Sequence, residues 1–260
     1  MRTSAILIVA GVLAVVSPVS ARIVRTKATP SERWPAAMPP TWAPLLQLTV
    51  GGGFEFQVDD EQAEYDFPLL LEYNFSEMLK LTIEPEFVYI DSDSKEVDSV
   101  GGVGDTETSI EWEFLRERRY RPALTAVGLI KWPTATNSEL GDPGYDYSPG
   151  LIVSKDLVYL DVDLSALYTF SGDPDQQDTV ELAAAAEIPL NAKFDLLAEV
   201  VGTIETGYGA PGRAVNELEG TAGCAWQATP YLRLEQGISI STDGTWQLLF
   251  AWEWSFAGED

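Results

Sequence analysis

Phe250, Trp252, Trp254 and Phe256 fall on one face of an extended chain, and Ala251, Glu253 and Ser255 fall on the other. In a water-soluble sandwich the aromatic row of such a strand points inward and the polar row meets water. Four large aromatics in alternate positions of the last strand candidate, set against a small or charged row, point to hydrocarbon outside instead. The same alternation recurs along the chain. Past the N-terminal segment, no apolar run reaches the roughly 20 residues that a membrane-spanning helix needs. Strands can cross a bilayer only as a closed cylinder, because every backbone polar group must find a partner within the sheet. The pattern therefore predicts an all-β fold, a transmembrane antiparallel up-and-down β-barrel with apolar residues outside and polar residues inside.

The N-terminus predicts export. Arg2 precedes the apolar run Ala5–Val16, and Val19-Ser20-Ala21 supplies residues that a signal peptidase reads, so residues 1–21 form a signal peptide. Residues 22–44 contain Pro30, Pro35, Pro39, Pro40 and Pro44 and few aliphatic side chains, which suits a periplasmic tail and neither a helix nor a ladder. Residues 45–260 remain for the barrel. Together these segments address the chain to a bacterial outer membrane.

Strand candidates run Leu45–Asp59, Gln62–Asn74, Leu79–Asp91, Thr106–Leu115, Pro122–Trp132, Tyr145–Lys155, Val158–Gly172, Thr179–Leu190, Lys193–Thr206, Glu217–Ala228, Tyr231–Ser241 and Thr245–Phe256. They number about twelve, an even count as a single-chain bacterial barrel requires. Pro85 inside the third marks a local break or bulge. The connections alternate in length. Those at Phe75-Ser76-Glu77, Asp156-Leu157, Asn191-Ala192 and Thr229-Pro230 are tight, whereas Ser92–Asp105, Pro133–Gly144, Asp173–Asp178 and Gly207–Asn216 are long and rich in Gly, Pro and Asp. This parity fits periplasmic turns and extracellular loops with both termini periplasmic. Trp132, Tyr73, Trp226 and Trp246 lie near strand ends, where interfacial girdles form.

The segment from Gly101 to Gly172 carries a recognisable set of loop signatures. Gly101-Gly102-Val103-Gly104-Asp105 precedes a strand, Pro122-Ala123 leads through Gly128 to Pro133-Thr134, and Gly141-Asp142-Pro143-Gly144 is followed by Asp146-Tyr147. This resembles the outer-membrane barrels grouped as the "MetA-pathway of phenol degradation" family, described as transporters. The chain departs from that pattern at Ala135, where the family has Gly, and at Pro143, which interrupts a Gly-Thr-Gly loop. The resemblance covers about a quarter of the chain. It implies architecture, together with passage of small and often aromatic or hydrophobic compounds across the outer membrane.

If the apolar rows face lipid, the opposite rows line the interior, and that interior is acidic. It would hold Glu64, Asp66, Glu72, Glu84, Glu86, Glu111, Glu113, Asp161, Asp163, Glu181, Glu187, Asp195, Glu199, Glu235 and Glu253, with Lys80, Lys131 and Arg233 as the chief bases. So many carboxylates cannot stay ionised in a dry core. A wet acidic passage favours cations, and Glu72, Glu84, Glu86, Glu111, Glu113, Lys131, Asp161, Asp163, Glu199, Arg233 and Glu235 become the candidate pore-lining residues. The function expected is a passive, porin-like channel for small hydrophobic, aromatic or cationic molecules. Two alternatives stand beside it: a plugged structural or adhesion barrel whose loops bind a partner, and a soluble periplasmic β-barrel binding protein.

Other classes fall away. The net charge of −25 argues against nucleic acid as a partner. The chain has no histidine, so the general base of outer-membrane phospholipases and proteases is missing, and no enzyme is expected. The loop from Asp91 to Asp98 offers oxygen ligands but lacks the glycine and terminal glutamate of an EF-hand. No metal or other cofactor is expected. Cys224, the lone cysteine, sits on the apolar row with Leu218 and Trp226. The expected partners are outer-membrane lipids, the barrel-assembly machinery through the C-terminal strand, and a small-molecule solute. The basic turn Arg116–Arg121 would sit at the periplasmic rim, within reach of anionic headgroups.

Overall fold

A computed structural model describes residues 47–58, 62–92, 99–157, 159–173, 176–206 and 216–257. The segments expected to be a signal peptide and a proline-rich tail, most of the acidic 91–98 loop and the 207–215 loop lie outside the described residues.

Strand segments follow one another as β1 (Gln47–Val58), β2 (Gln62–Ser76), β3 (Leu79–Glu84), β4 (Glu86–Ser92), β5 (Val100–Val103), β6 (Thr106–Leu115), β7 (Ala123–Trp132), β8 (Asp146–Leu157), β9 (Leu160–Thr169), β10 (Asp178–Pro189), β11 (Phe194–Thr206), β12 (Asn216–Gln227), β13 (Leu232–Ser241) and β14 (Trp246–Ala257). All pairings are antiparallel. Strand β1 pairs with β2 on one side and β14 on the other, so the sheet closes on itself.

Pro85 explains why the segments outnumber the staves. Facing β2, segments β3 and β4 keep one register, from Leu71↔Ile83 to Pro68↔Glu86, and the Leu69 amide donates to the Pro85 carbonyl at 2.9 Å. On its other edge Pro85 has no N–H to give. There the opposing chain carries one extra residue: between the pairs Glu84↔Glu107 and Phe87↔Val103, Pro85 and Glu86 face Gly104, Asp105 and Thr106. Each half-pair is therefore one stave, and the barrel has twelve. Residues 92–105, expected to be loop throughout, include Val100–Val103 as the upper part of the fourth stave. Two glycines in that short stretch hid it.

The burial pattern is inverted relative to a water-soluble protein. Leu69, Trp112, Leu218 and Ile240 are 51–59% exposed, while Glu64, Asp163, Glu199 and Ser239 on the opposite rows are at most 7% exposed. Aromatics gather at both ends of the outer surface. Trp132 meets Tyr145 and Trp246 meets Phe56 near the rim that carries the long connections, and Trp226 stacks on Phe194 near the rim of short turns. Such girdles sit at headgroup depth. Cys224 lies on the outer row as expected, with Gln236 as its polar neighbour.

The hairpin joining β13 and β14 turns on Gly244, whose φ of 100° only glycine adopts without strain. The Thr245 amide donates to the Asp243 carboxylate at 2.8 Å. Partial burial opposes the charge on Asp243, but the hydrogen bonds from Thr245 prevail and hold its pKa below the usual carboxylate range. On the outer wall, Gly52 faces Trp252 across the β1–β14 seam, and a Cβ there would stand 3.2 Å from the indole nitrogen. Gly52→Val should displace the ring and cost about 1–3 kcal/mol, read as a lower midpoint for heat-modifiable gel migration.

Candidate functional site

All eleven candidate pore-lining residues lie on the inward rows. Three interior bases organise many of the carboxylates. Near the short-turn rim, Lys80 on β3 faces Glu111 on β6 directly and bonds to it at 2.8 Å, with Glu72 of β2 at 3.4 Å. Arg233, at the start of β13, bonds Glu235 at 2.7 Å, Asp195 at 3.3 Å and Glu187 at 3.4 Å. To reach β10 and β11 its guanidinium must cross β12, and it does so where the inward residue is Ala225, which is wholly buried. Lys131, at the top of β7, bonds Asp146 at 2.6 Å and Asp142 at 2.8 Å.

Elsewhere the register sets acid against acid. Glu55 faces Asp66, Glu84 faces Glu107 and Asp161 faces Glu187. Like charges directly across a ladder repel, so the arrangement needs water, cations or protons between them. A cavity of about 70 Å³ opens beside this region, with Glu55, Glu187, Glu199, Arg233 and Glu235 in its walls. The opposite wall carries a short apolar strip among polar inward residues such as Ser154, Asp163 and Ser165. Val127, Ile152 and Leu167 form a buried cluster on neighbouring inward positions of β7, β8 and β9. The interior is thus two-sided, with a carboxylate arc facing a hydrocarbon strip.

The mouth on the long-loop side is narrowed by the connection between β7 and β8. Strand β7 follows β6 as far as the pair Trp132↔Thr106. Beyond it, the Thr136 amide donates to the Val103 carbonyl at 2.9 Å and the Val103 amide donates to Thr136 Oγ1 at 3.1 Å, so this loop caps the outer edge of β5. The chain then turns over the inner face. Leu140 is only 6% exposed, and its Cδ1 lies 3.0 Å from where a Cβ on Gly102 would stand. Asp105, in the bulge opposite Pro85, holds both ends of the loop: Oδ1 accepts from the Ala135 amide at 3.0 Å and Oδ2 from the Asp142 amide at 2.9 Å. The next long connection joins in, since Gln176 donates to Asp142 at 2.7 Å and the Gly172 amide donates to Asp146 at 3.0 Å.

This geometry gives the loop signatures a purpose. Gly102 and Gly104 make room for Leu140, Asp105 is the clasp, and Gly141 must be glycine because a Cβ there would stand 2.6 Å from the Ala135 methyl. Asp105 and Asp142 belong to the loop signatures but carry no role there, and Leu140 falls outside those signatures. An aspartate flanked by glycine on a strand that follows a prolyl break was the available signal. Of the acidic 91–98 loop, residues 93–98 fall outside the described residues, and no metal-holding group of side chains occurs among the described ones.

No protein-family model matches the chain, and no curated protein matches it in sequence. Solved structures do match in fold. An outer membrane channel from Pseudomonas putida F1 superposes with a TM-score of 0.67 at 13% identity, covering 86% of this chain and 99% of that one. The NanC porin gives a TM-score of 0.58 at 10% identity, covering 80% and 98%, and the KdgM porin in complex with oligogalacturonate gives 0.56 at 10% identity, covering 79% and 99%. The fold is that of outer-membrane channel barrels.

Proposed function

We propose that this protein is a passive channel of the bacterial outer membrane for small neutral or cationic organic molecules. Its signal peptide, residues 1–21, exports it, and the barrel-assembly machinery engages its last strand. The observation that carries the reading is the excess of inward carboxylates over inward bases in a closed cylinder. A dry core would not hold them, because each unpaired charge there costs several kcal/mol. The eleven residues named from the sequence then line a wet passage, and the acidic arc draws cations while opposing anions.

The hydrocarbon strip at Val127, Ile152 and Leu167 adds a preference for an apolar body. The solute class supported best is therefore a small organic cation, or a neutral aromatic compound that the strip alone can receive. A polyanion such as the oligogalacturonate in the KdgM complex would meet repulsion along the acidic arc. No step of chemistry is required, and transport runs down a gradient.

Single-channel recording in a planar bilayer tests this. The expected record is a small, cation-preferring conductance. Glu84→Gln with Glu86→Gln should reduce the cation-to-anion permeability ratio about twofold, by the charged-ring logic of channels. An unchanged reversal potential would remove that pair from the pathway. The closed-barrel reading draws on the inward-tucked Leu140 and the apolar cluster, and silence at every voltage would establish it in place of the channel.

A further inference from the structure

The basic residues of the described chain are not spread over its surface. Lys80, Lys131 and Arg233 are inside the barrel, whereas Arg116, Arg118, Arg119, Arg121 and Lys155 share one patch at the short-turn rim, leaving Lys193 apart. The 116–122 turn is a small hairpin in which Arg118 and Arg121 exchange backbone hydrogen bonds of 2.9 and 3.0 Å. Two of its neighbours are neutralised. Arg116 bonds Glu77 at 2.6 Å and Lys155 bonds Glu117. Among the described residues Arg118, Arg119 and Arg121 have no carboxylate partner, and all three side chains are exposed.

The patch is also aromatic at its edge. Tyr120 is 86% exposed with the Arg119 guanidinium 5.2 Å from its ring, and Tyr159 in the adjoining turn is 82% exposed. Immediately toward the barrel's middle the outer row reads Trp112, Phe114 and Leu157, each at least 41% exposed. Hydrocarbon-facing residues, a tyrosine pair and three exposed guanidiniums, of which Arg121 also donates to the Arg116 carbonyl at 2.9 Å, thus follow one another along the barrel wall. That sequence of chemistries matches acyl chain, interface and phosphate in a bilayer leaflet. The opposite rim carries acidic connections, with Asp91, Asp142, Asp173 and Asp243 around the mouth.

We propose that Arg118, Arg119 and Arg121, flanked by Tyr120 and Tyr159, form a binding site for the headgroup of an anionic phospholipid in the periplasmic leaflet. The site rests on the orientation given above, with short turns on the periplasmic side, and does not require the lumen to conduct. It would anchor the barrel at fixed depth and rotation beside a phospholipid. Guanidinium is the fitting group, because its planar donors match phosphate oxygens in pairs.

The test uses the full-length protein in mixed micelles of phosphatidylglycerol and phosphatidylcholine, with retained lipid identified by native mass spectrometry. Each basic side chain near an anionic surface is worth roughly fivefold in affinity, so the wild type should favour phosphatidylglycerol by about tenfold or more. Arg118→Gln, Arg119→Gln and Arg121→Gln together should abolish the preference, with unchanged heat-modifiable migration confirming an intact barrel. No preference in the wild type, or a preference that survives the triple substitution, overturns the proposal. Orientation is read separately. Tyr120→Cys in a Cys224→Ala background should resist a membrane-impermeant maleimide in intact cells and react once the outer membrane is breached. Labelling of intact cells would overturn both the site and the orientation, while the bilayer recording would still decide whether the barrel conducts.

Discussion

Arg233→Met should lower the unfolding free energy of the barrel by about 3 kcal/mol, measured by urea titration in detergent with tryptophan fluorescence. Removing one partner of a buried ion network leaves the others charged and uncompensated, an effect of about 3–5 kcal/mol. Here Glu187, Asp195 and Glu235 lose their shared cation at once, each side chain being at most 10% exposed. The adjoining cavity lets water reach part of the cluster, which places the expected value at the lower end. Arg233→Lys keeps the charge but offers a point ammonium in place of a planar fork. It should recover less than half of the loss, because one ammonium cannot reach three strands. Adding Glu187→Gln, Asp195→Asn and Glu235→Gln to Arg233→Met should restore most of it, since removing a whole network is close to neutral. A single Arg233→Met variant within 1 kcal/mol of wild type would mean that the acids do not depend on this guanidinium.

The same network shows how far sequence could lead. The inward row of each strand was legible from period-two alternation, because a slip of one residue would send every apolar side chain of that strand to the wrong side. Arg233 and Glu235 on β13, Glu187 on β10 and Asp195 on β11 were all assigned inward on that ground alone. That they meet through the gap above Ala225 was not legible. Alternation fixes which face a residue occupies, whereas contact across three strands depends on the stagger between them and on one small side chain in the way.

Legibility failed at the fourth stave for a related reason. Val100–Val103 has no alternation to detect, since glycine occupies two of its four positions. What makes it a strand is its partner β4, and what ends it is the bulge that Pro85 forces on the far edge of the third stave. Pro85 was read as a bulge marker, but a proline names only its own stave. The residue that exploits the bulge, Asp105, lies twenty positions later, and its two acceptor bonds go to a loop thirty residues further on. Long-range closure of that kind leaves only glycine spacing as its trace in the sequence.

Asp105→Ala should release the loop between β7 and β8 and widen the mouth. Its carboxylate accepts two amide hydrogen bonds, one at each end of the loop. Bonds to a charged acceptor contribute about 1.5–3 kcal/mol each, enough together to move the loop from almost always docked to substantially undocked. Lys131 would still hold Asp142 and Asp146 and Thr136 would still pair with Val103, so the middle of the loop lifts between these attachments while the barrel itself stays folded. The expected bilayer record is a mean conductance about twofold or more above wild type with added flicker, because the loop now exchanges between positions over microseconds or longer. External protease should also cleave between residues 137 and 142, where the docked loop resists it. Leu140→Ala separates occupancy from anchoring. It keeps the clasp and removes the side chain seated over Gly102, so conductance should rise without flicker. Asp105→Asn keeps one oxygen and can hold only one end, which places it between wild type and Asp105→Ala. An Asp105→Ala channel with wild-type current and wild-type noise would show that the loop stands clear of the conducting path, and the constriction would then have to lie deeper, at the Val127, Ile152 and Leu167 strip.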